Sequence, residues 1–263
     1  MLDQNFFNTI FVIPILNILL LFYKFFSLLK IPGALGFSII GLTLFIVLLL
    51  YPLTKKQKLM AEKLNELKPE LDKLEKKYKN DKVKLQQEQM KLYQQAGINP
   101  GLGCLLPFAQ FPFFIALYNV LGLFLLDHKG VNVIKNINQV VYFSFLKISE
   151  INPWFLGLNL ALSPQKSGVW YYLLVPVVTG ALQYFQISLM TPKPQSKTEK
   201  KEEKQEKKSE TEDFQQTMNF QMKLMMPALI AWFAYTLPVG LALYWNVFSI
   251  FNIIQYRKTQ VKK

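Results

Sequence analysis

The chain of 263 residues is 51% hydrophobic and only 18% charged, yet its formal net charge is +13. Soluble domains average about 25% charged residues, so the apolar and basic residues must be segregated along the chain. One cysteine, Cys104, and one histidine, His128, exclude a disulfide framework or a multi-ligand zinc site and leave a triad hydrolase a single histidine to rest on. No cofactor is expected.

Residues 10–29 are apolar but interrupted by Pro14, Asn17, Tyr23 and Lys24. No basic residue precedes this stretch and no small-residue cleavage site follows it, which disfavours a secretion signal. A crossing here would hold Lys24 at membrane depth, so segment 1–35 is expected to carry an interfacial helix on the outer surface. Four runs free of charged residues follow, at 31–54, 92–126, 167–192 and 224–256. Each exceeds the roughly 20 residues that cross a bilayer. The last is too long for one crossing, and Pro238 and Gly240 place a tight turn inside it, with Lys223 able to snorkel at the near end. The predicted spans are 36–54, 101–126, 169–191, 218–236 and 238–256.

Five crossings put 55–100, 192–217 and 257–263 on one side. Counting Lys223, that side holds 24 of the 30 basic residues. The positive-inside rule makes it cytoplasmic, with the N-terminus outside and the C-terminus inside. The fold class expected is therefore all-α: a polytopic membrane protein of five transmembrane helices.

Within 55–100, Met60, Leu64, Leu67, Leu71, Leu74 and Tyr78 alternate spacings of four and three, the seam of a coiled coil. Asn80-Asp81 breaks the pattern, after which Val83 and Met90, and Leu85 and Leu92, repeat at seven. The pattern predicts an antiparallel cytoplasmic helical hairpin with Pro69 kinking its first arm. A solvated spacer without a partner fits the pattern equally well. The outer segment 127–168, with Trp154 inside it and Trp170–Tyr172 just after it, suits the headgroup zone. Segment 193–213 has seven lysines, seven acidic residues and no large apolar side chain. It predicts a flexible charged loop within 192–217, followed at the far end by the basic tail 257–263. No aromatic–basic interleaving accompanies this charge, so anionic lipid or ribosomal RNA are expected counterparts and DNA is not.

Several motifs, in order, resemble the YidC family of membrane-protein insertases, shared with mitochondrial and chloroplast relatives. They are Gly36-Phe-Ser-Ile-Ile with Tyr51-Pro-Leu-Thr-Lys-Lys-Gln57, Lys68-Pro-Glu-Leu, Lys76-Lys-Tyr-Lys-Asn-Asp81 and Gln95-Ala-Gly-Ile-Asn-Pro-Gly-Leu-Gly-Cys-Leu-Leu-Pro107. Gln110-Phe-Pro-Phe-Phe-Ile-Ala-Leu-Tyr118, Gln221-Met-Lys-Leu-Met-Met-Pro227 and Leu237-Pro-Val-Gly-Leu-Ala-Leu-Tyr-Trp245 complete the set. The resemblance implies five helices around a hydrophilic groove open to cytoplasm and lipid but closed outside. It implies an insertase and chaperone of the bacterial cytoplasmic membrane, not an enzyme. Nascent membrane proteins would be its partners, with the ribosome, the general translocase and anionic lipids as further candidates.

By the same resemblance, Gln110 matches the family's groove glutamine and Trp245 its last-helix tryptophan. Alignment through Gly36 and Tyr51-Pro52 puts Val47 where the family usually carries an arginine. Ser38, Thr43, Asn119, Gln183, Gln186, Asn246 and Asn252, with Tyr244, are left as uncharged candidates for a wet surface. A Ser or Thr can instead bond its own helix backbone. Gln110 and Gln183 can make interhelical hydrogen bonds, and Tyr118, Tyr244 and Trp245 can simply pack. Cys104 is expected to pack and His128 to meet solvent at the outer end of its helix. Competing readings are a small channel or transporter lined by Gln110, Asn119 and Gln183, a specialised or inactive paralogue lacking the groove arginine, and a scaffold whose hairpin recruits partners.

Overall fold

The computed structural model describes residues 5–78, 81–97, 101–125, 131–190 and 210–260. The chain is mostly helical, and the first helix already departs from an ideal one. A π-helical turn, Asn8–Val12, leads into α1 (Ile13–Leu28). Pro14 has no N–H to give and its ring crowds the carbonyl four residues back; the preceding turn widens, with the Ile13 N–H donating to the Asn8 carbonyl. The helix therefore runs on through the proline. A turn with Lys30 at φ 53° and Gly33 at φ 80° reverses the chain into α2 (Ala34–Leu49).

The expected single span 36–54 ends early. α2 stops at Leu49, and α3 (Tyr51–Glu66) starts with Pro52 in its first turn, where a missing N–H breaks no helix bond. α4 (Lys68–Lys77) begins after Leu67 with Pro69 in its first turn, so the expected kink is a break between two helices. α5 (Lys82–Gln95) is capped by Asp81, whose carboxylate accepts from the Lys84 N–H at 3.0 Å. Then come α6 (Gly101–Leu125) and α7 (Val131–Val140). The all-α expectation misses one small feature: β1 (Trp154–Phe155) and β2 (Leu158–Asn159) pair as an antiparallel hairpin. It is followed by α8 (Pro164–Ser167), a 3-10 turn at Trp170–Leu173, and α9 (Leu174–Met190).

α10 (Glu210–Thr236) and α11 (Val239–Gln260) close the chain. α10 reaches back further than expected: residues 210–217, assigned to the charged loop, are helical. The rest of that loop up to residue 209, His128 and residues 261–263 of the basic tail lie outside the described residues. Among the described residues, three helical stretches are long and apolar enough to cross a membrane: Asn8–Leu28, Trp170–Leu189 and Val239–Lys258. Ala34–Leu49 and Phe111–Leu123 are apolar but shorter.

α1 and α2 pack as an antiparallel pair. The rings of Phe26 and Phe37 stand 5.6 Å apart, and Phe22 lies against Gly41, where an added Cβ would meet its ring at 2.9 Å. α11 occupies the middle, packed on α2, α6, α9 and α10. Leu16, Leu19, Leu35, Ile39, Leu42, Leu117, Leu121 and Tyr244 form the core. α9 and α10 approach closely at Gly180, whose missing side chain lets Ala231 come near. Such small-residue contacts matter in lipid, where tails are as apolar as leucine and packing itself must hold helices together. Outward, Leu48, Val177, Phe185, Met225 and Trp232 are exposed apolar side chains, a surface that water does not tolerate but acyl chains do.

Residues 131–173 fold as a cap held by side-chain amides. Asn138 bonds both the N–H and the carbonyl of Ile148, at 2.9 and 2.8 Å. Asn17 does the same between elements: its Nδ2 donates to the carbonyls of Ile13 and Val140, and its Oδ1 accepts from the Tyr142 N–H at 2.7 Å. The Tyr172 hydroxyl accepts from the Asn159 N–H at 2.7 Å. At the start of α11 the Val239 and Gly240 N–H groups donate to the carbonyls of Leu162 and Leu160, both at 3.0 Å. Two of the donors that every helix start leaves unpaired are thus satisfied by the cap.

Candidate functional site

Trp245 lies on α11 between two aromatic rings. It stacks on Phe114 of α6, with centroids 5.1 Å apart and planes 16° off parallel. Phe233 of α10 lies 6.3 Å away on a tilted plane. The tryptophan is only 9% exposed, so in this conformation it works as a packing hub joining three helices. Tyr244 beside it is buried and stacks on Phe248. Neither Phe114 nor Phe233 stands out in the sequence, where phenylalanine occurs in every predicted span.

The hydroxyls on α2 point inward and stay within their own helix. Ser38 donates to the Ala34 carbonyl and Thr43 to the Ile39 carbonyl, and both residues are fully buried. A buried hydroxyl four residues after a free lone pair finds a partner there without recruiting a neighbour. Val47, on the same helix, is 1% exposed. Asn119 is half-buried on α6 and Tyr118 is exposed. Gln110 belongs to α6 as well, but its side chain, like that of Cys104, lies outside the described residues.

The polar residues that do meet lie between α9 and α11. The Ser249 hydroxyl donates to Gln183 Oε1 at 2.9 Å. Thr179, Gln183 and Gln186 fall on one face of α9 at helical spacing, and Asn246, Ser249 and Asn252 recur every third residue on α11. Thr179 and Asn252 bond carbonyls one turn back, those of Val175 and Phe248. Gln186 Oε1, Ser188 Oγ and Asn246 Oδ1 are buried without a hydrogen-bond partner. A buried acceptor left unpaired costs about 1–3 kcal/mol, which singles out Gln186 and Asn246 on these two faces; Ser188 lies on another side of α9. Sequence reasoning missed Ser249 and Thr179; the three-residue spacing of Ser249 from Asn246 and Asn252, and the four-residue spacing of Thr179 from Gln183, were the available signals.

The predicted hairpin residues occupy a middle ground. Met60, Leu64, Leu67, Leu71, Leu74 and Tyr78 are all half-buried, Pro69 is exposed and Leu85 is buried. α4 packs on α5, and α3 on α6. Lys77 and Lys84 both approach the face of the Tyr78 ring, at 5.2 and 5.6 Å. Burial, with a lesser push from Glu75, raises the Tyr93 phenol above its ordinary value and keeps it neutral.

Comparison with known proteins gives the arrangement its context. Residues 25–263 match the 60Kd inner membrane protein family. The chain is 32% identical over 225 residues to the chloroplast inner membrane ALBINO3-like protein 1 of Chlamydomonas reinhardtii, covering 82% of this chain and 42% of that one. It is 30% identical over 249 residues to the membrane protein insertase YidC of Wolinella succinogenes, covering 95% of this chain and 37% of that one. Against YidC of Clostridium tetani the identity is 32% over 228 residues, covering 87% and 81%. The chain thus spans less than half the length of the first two relatives and most of the third. On a match running from residue 25 to residue 263, the chain belongs to the 60Kd inner membrane protein family, which unites the YidC insertases and the ALBINO3-like proteins.

Proposed function

We propose that this chain inserts membrane proteins and chaperones their folding, with the polar seam between α9 and α11 as part of the path for a substrate's hydrophilic segment. The observation that carries the reading is the Ser249–Gln183 hydrogen bond beside the unpaired acceptors Gln186 Oε1 and Asn246 Oδ1. A peptide segment entering the membrane loses water from each N–H and carbonyl, at a cost of about 2–7 kcal/mol for every unpaired group. Polar groups already at depth lower that cost without forming or breaking a covalent bond. The seam is uncharged, and Val47 occupies the position where the resemblance expects an arginine. Its contribution is therefore hydrogen bonding rather than a fixed attraction for acidic tails.

In the same reading the chain crosses the bilayer five times, with the N-terminus outside, the C-terminus and the α4–α5 pair in the cytoplasm, and α1 at the outer surface. Support for α1 at the surface comes from its contacts. From Pro14 to Tyr23 it runs beside residues 140–152 of the outer cap. Newly made membrane proteins are the substrates, in a bacterial-type cytoplasmic membrane. The ribosome and the general translocase are partners on the cytoplasmic face, and anionic lipid meets the basic segments.

Proteoliposomes holding only this protein test the reading. The substrate is a short single-spanning protein that pure lipid vesicles reject, and insertion is read as a protease-protected fragment. We expect protection to appear with the protein and not without it. Absence of protection, with the protein folded and correctly oriented, overturns the proposal; leakage of small solutes in its place would favour a channel.

A further inference from the structure

A cavity of about 210 Å³ opens between α1 and the outer cap, lined by Pro14, Asn17, Ile18, Leu21 and the 142–146 segment. It is smaller than the roughly 300–1,000 Å³ of a typical ligand pocket, so it admits a stretch of hydrocarbon rather than a whole lipid. Asn17 is the one side-chain amide in its wall, and that amide is already engaged with Ile13, Val140 and Tyr142. The cavity therefore offers dispersion contacts and little hydrogen bonding.

Its rim continues the apolar surface instead of ending it. Phe143 and Phe145 stack on each other at 5.6 Å and are about 60% exposed. Leu21 is 49% and Leu28 80% exposed along the same helix. Around this rim basic residues outnumber acidic ones. Lys24 follows Leu21 by one helical turn and Lys147 follows Leu146 directly, against Glu150, the single acidic residue in 131–173, whose carbonyl accepts from the Tyr23 hydroxyl.

We infer that this cavity holds part of one acyl chain of an anionic phospholipid of the outer leaflet, with its headgroup met by Lys24 and Lys147. The inference needs a membrane setting, for which Trp170–Leu189 and Val239–Lys258 are long and apolar enough; it rests on the orientation proposed above, with the cap on the outer side, and not on the insertion activity. An acyl chain fits an apolar slot with little hydrogen bonding to offer, and the adjacent lysines select the negative headgroup. Seated there, the lipid would fasten α1 and the cap to the outer leaflet.

Native mass spectrometry of the full chain released from micelles tests this, with dioleoylphosphatidylglycerol or dioleoylphosphatidylcholine as the added lipid. One phosphatidylglycerol is expected to stay bound per chain and phosphatidylcholine to stay less. Leu21→Trp, which fills the mouth from an exposed position, is expected to lower retention about tenfold, a loss of one decade in affinity. The pair Phe143→Asn and Phe145→Asn, also at exposed positions, is expected to do the same and guards against misfolding of the first variant. Lys24→Gln with Lys147→Gln is expected to bring the two lipids to equal retention. Undiminished retention in both cavity variants overturns the site, and so does a second copy of the chain carried on this face in place of lipid. Equal retention of both lipids by the parent overturns the headgroup assignment.

Discussion

The ring of Phe155 stands where a side chain on Gly36 would have to go. A Cβ built on Gly36 collides with three ring carbons of Phe155, and one on Gly33 would meet the same ring at 2.8 Å. The phenylalanine is buried, and its ring meets that of Phe37 edge-on at 5.2 Å. The β1–β2 hairpin is thus clamped onto the first turn of α2 through two glycines, which adds a packing contact to the hydrogen bonds that join cap and bundle.

Gly36→Ala tests that clamp. In an isolated helix the change would stabilise by about 1 kcal/mol, but overpacking a filled site costs about 1–3 kcal/mol. A net loss is expected, seen as a lower thermal unfolding midpoint in detergent. Adding Phe155→Leu should recover part of it, because the smaller side chain vacates the space. If Gly36→Ala raises the midpoint, the clamp is loose.

The Ser249–Gln183 hydrogen bond predicts a coupling between α9 and α11. Interhelical bonds of this kind average about 0.6 kcal/mol in membrane proteins. Ser249→Ala, Gln183→Leu and the double variant, compared by unfolding in detergent, should give a cycle with a coupling near that size. Additive single effects would mean the bond contributes no stability of its own.

Val47→Arg addresses substrate preference. Val47 is buried, two residues before the end of α2, and an arginine there costs up to the roughly 2.5–3.5 kcal/mol of a helix centre. The variant should therefore unfold at a lower temperature than the parent. If the position faces the substrate path, it should also raise insertion of substrates with acidic tails relative to neutral ones. An unchanged ratio of acidic to neutral insertion would place Val47 away from the path.

Much of the helical architecture was readable from one strand of reasoning, since span length and charge segregation are local properties of the chain. The prolines were only half readable. Pro52 and Pro69 were visible, but whether each bends a helix or starts a new one depends on the turn before it. Pro14 looked like a break and is passed through by a π-helical turn. Residues 210–217 looked too polar to be ordered and are helical, joined to a long apolar helix that supplies the nucleus. The same limit applied to polar residues. For Ser38 and Gln183 the residue type indicated the mode of bonding, own backbone for the hydroxyl and another helix for the amide, but not the partner, which for Gln183 is Ser249.

The sequence by itself determined the class of this protein: apolar helices separated by basic segments, and the ordered motifs of a membrane-protein family. It could do so because bilayer thickness, helical period and backbone satisfaction constrain each segment independently of its neighbours. Only the tertiary structure decided which residues meet. Asn17 joins Tyr142 across 125 positions of sequence, Phe155 fills the space above Gly36, and Val47 is turned into the bundle. Those outcomes depend on the rotation of each helix about its axis. In helices that are apolar all round, no stripe in the sequence marks the inward face.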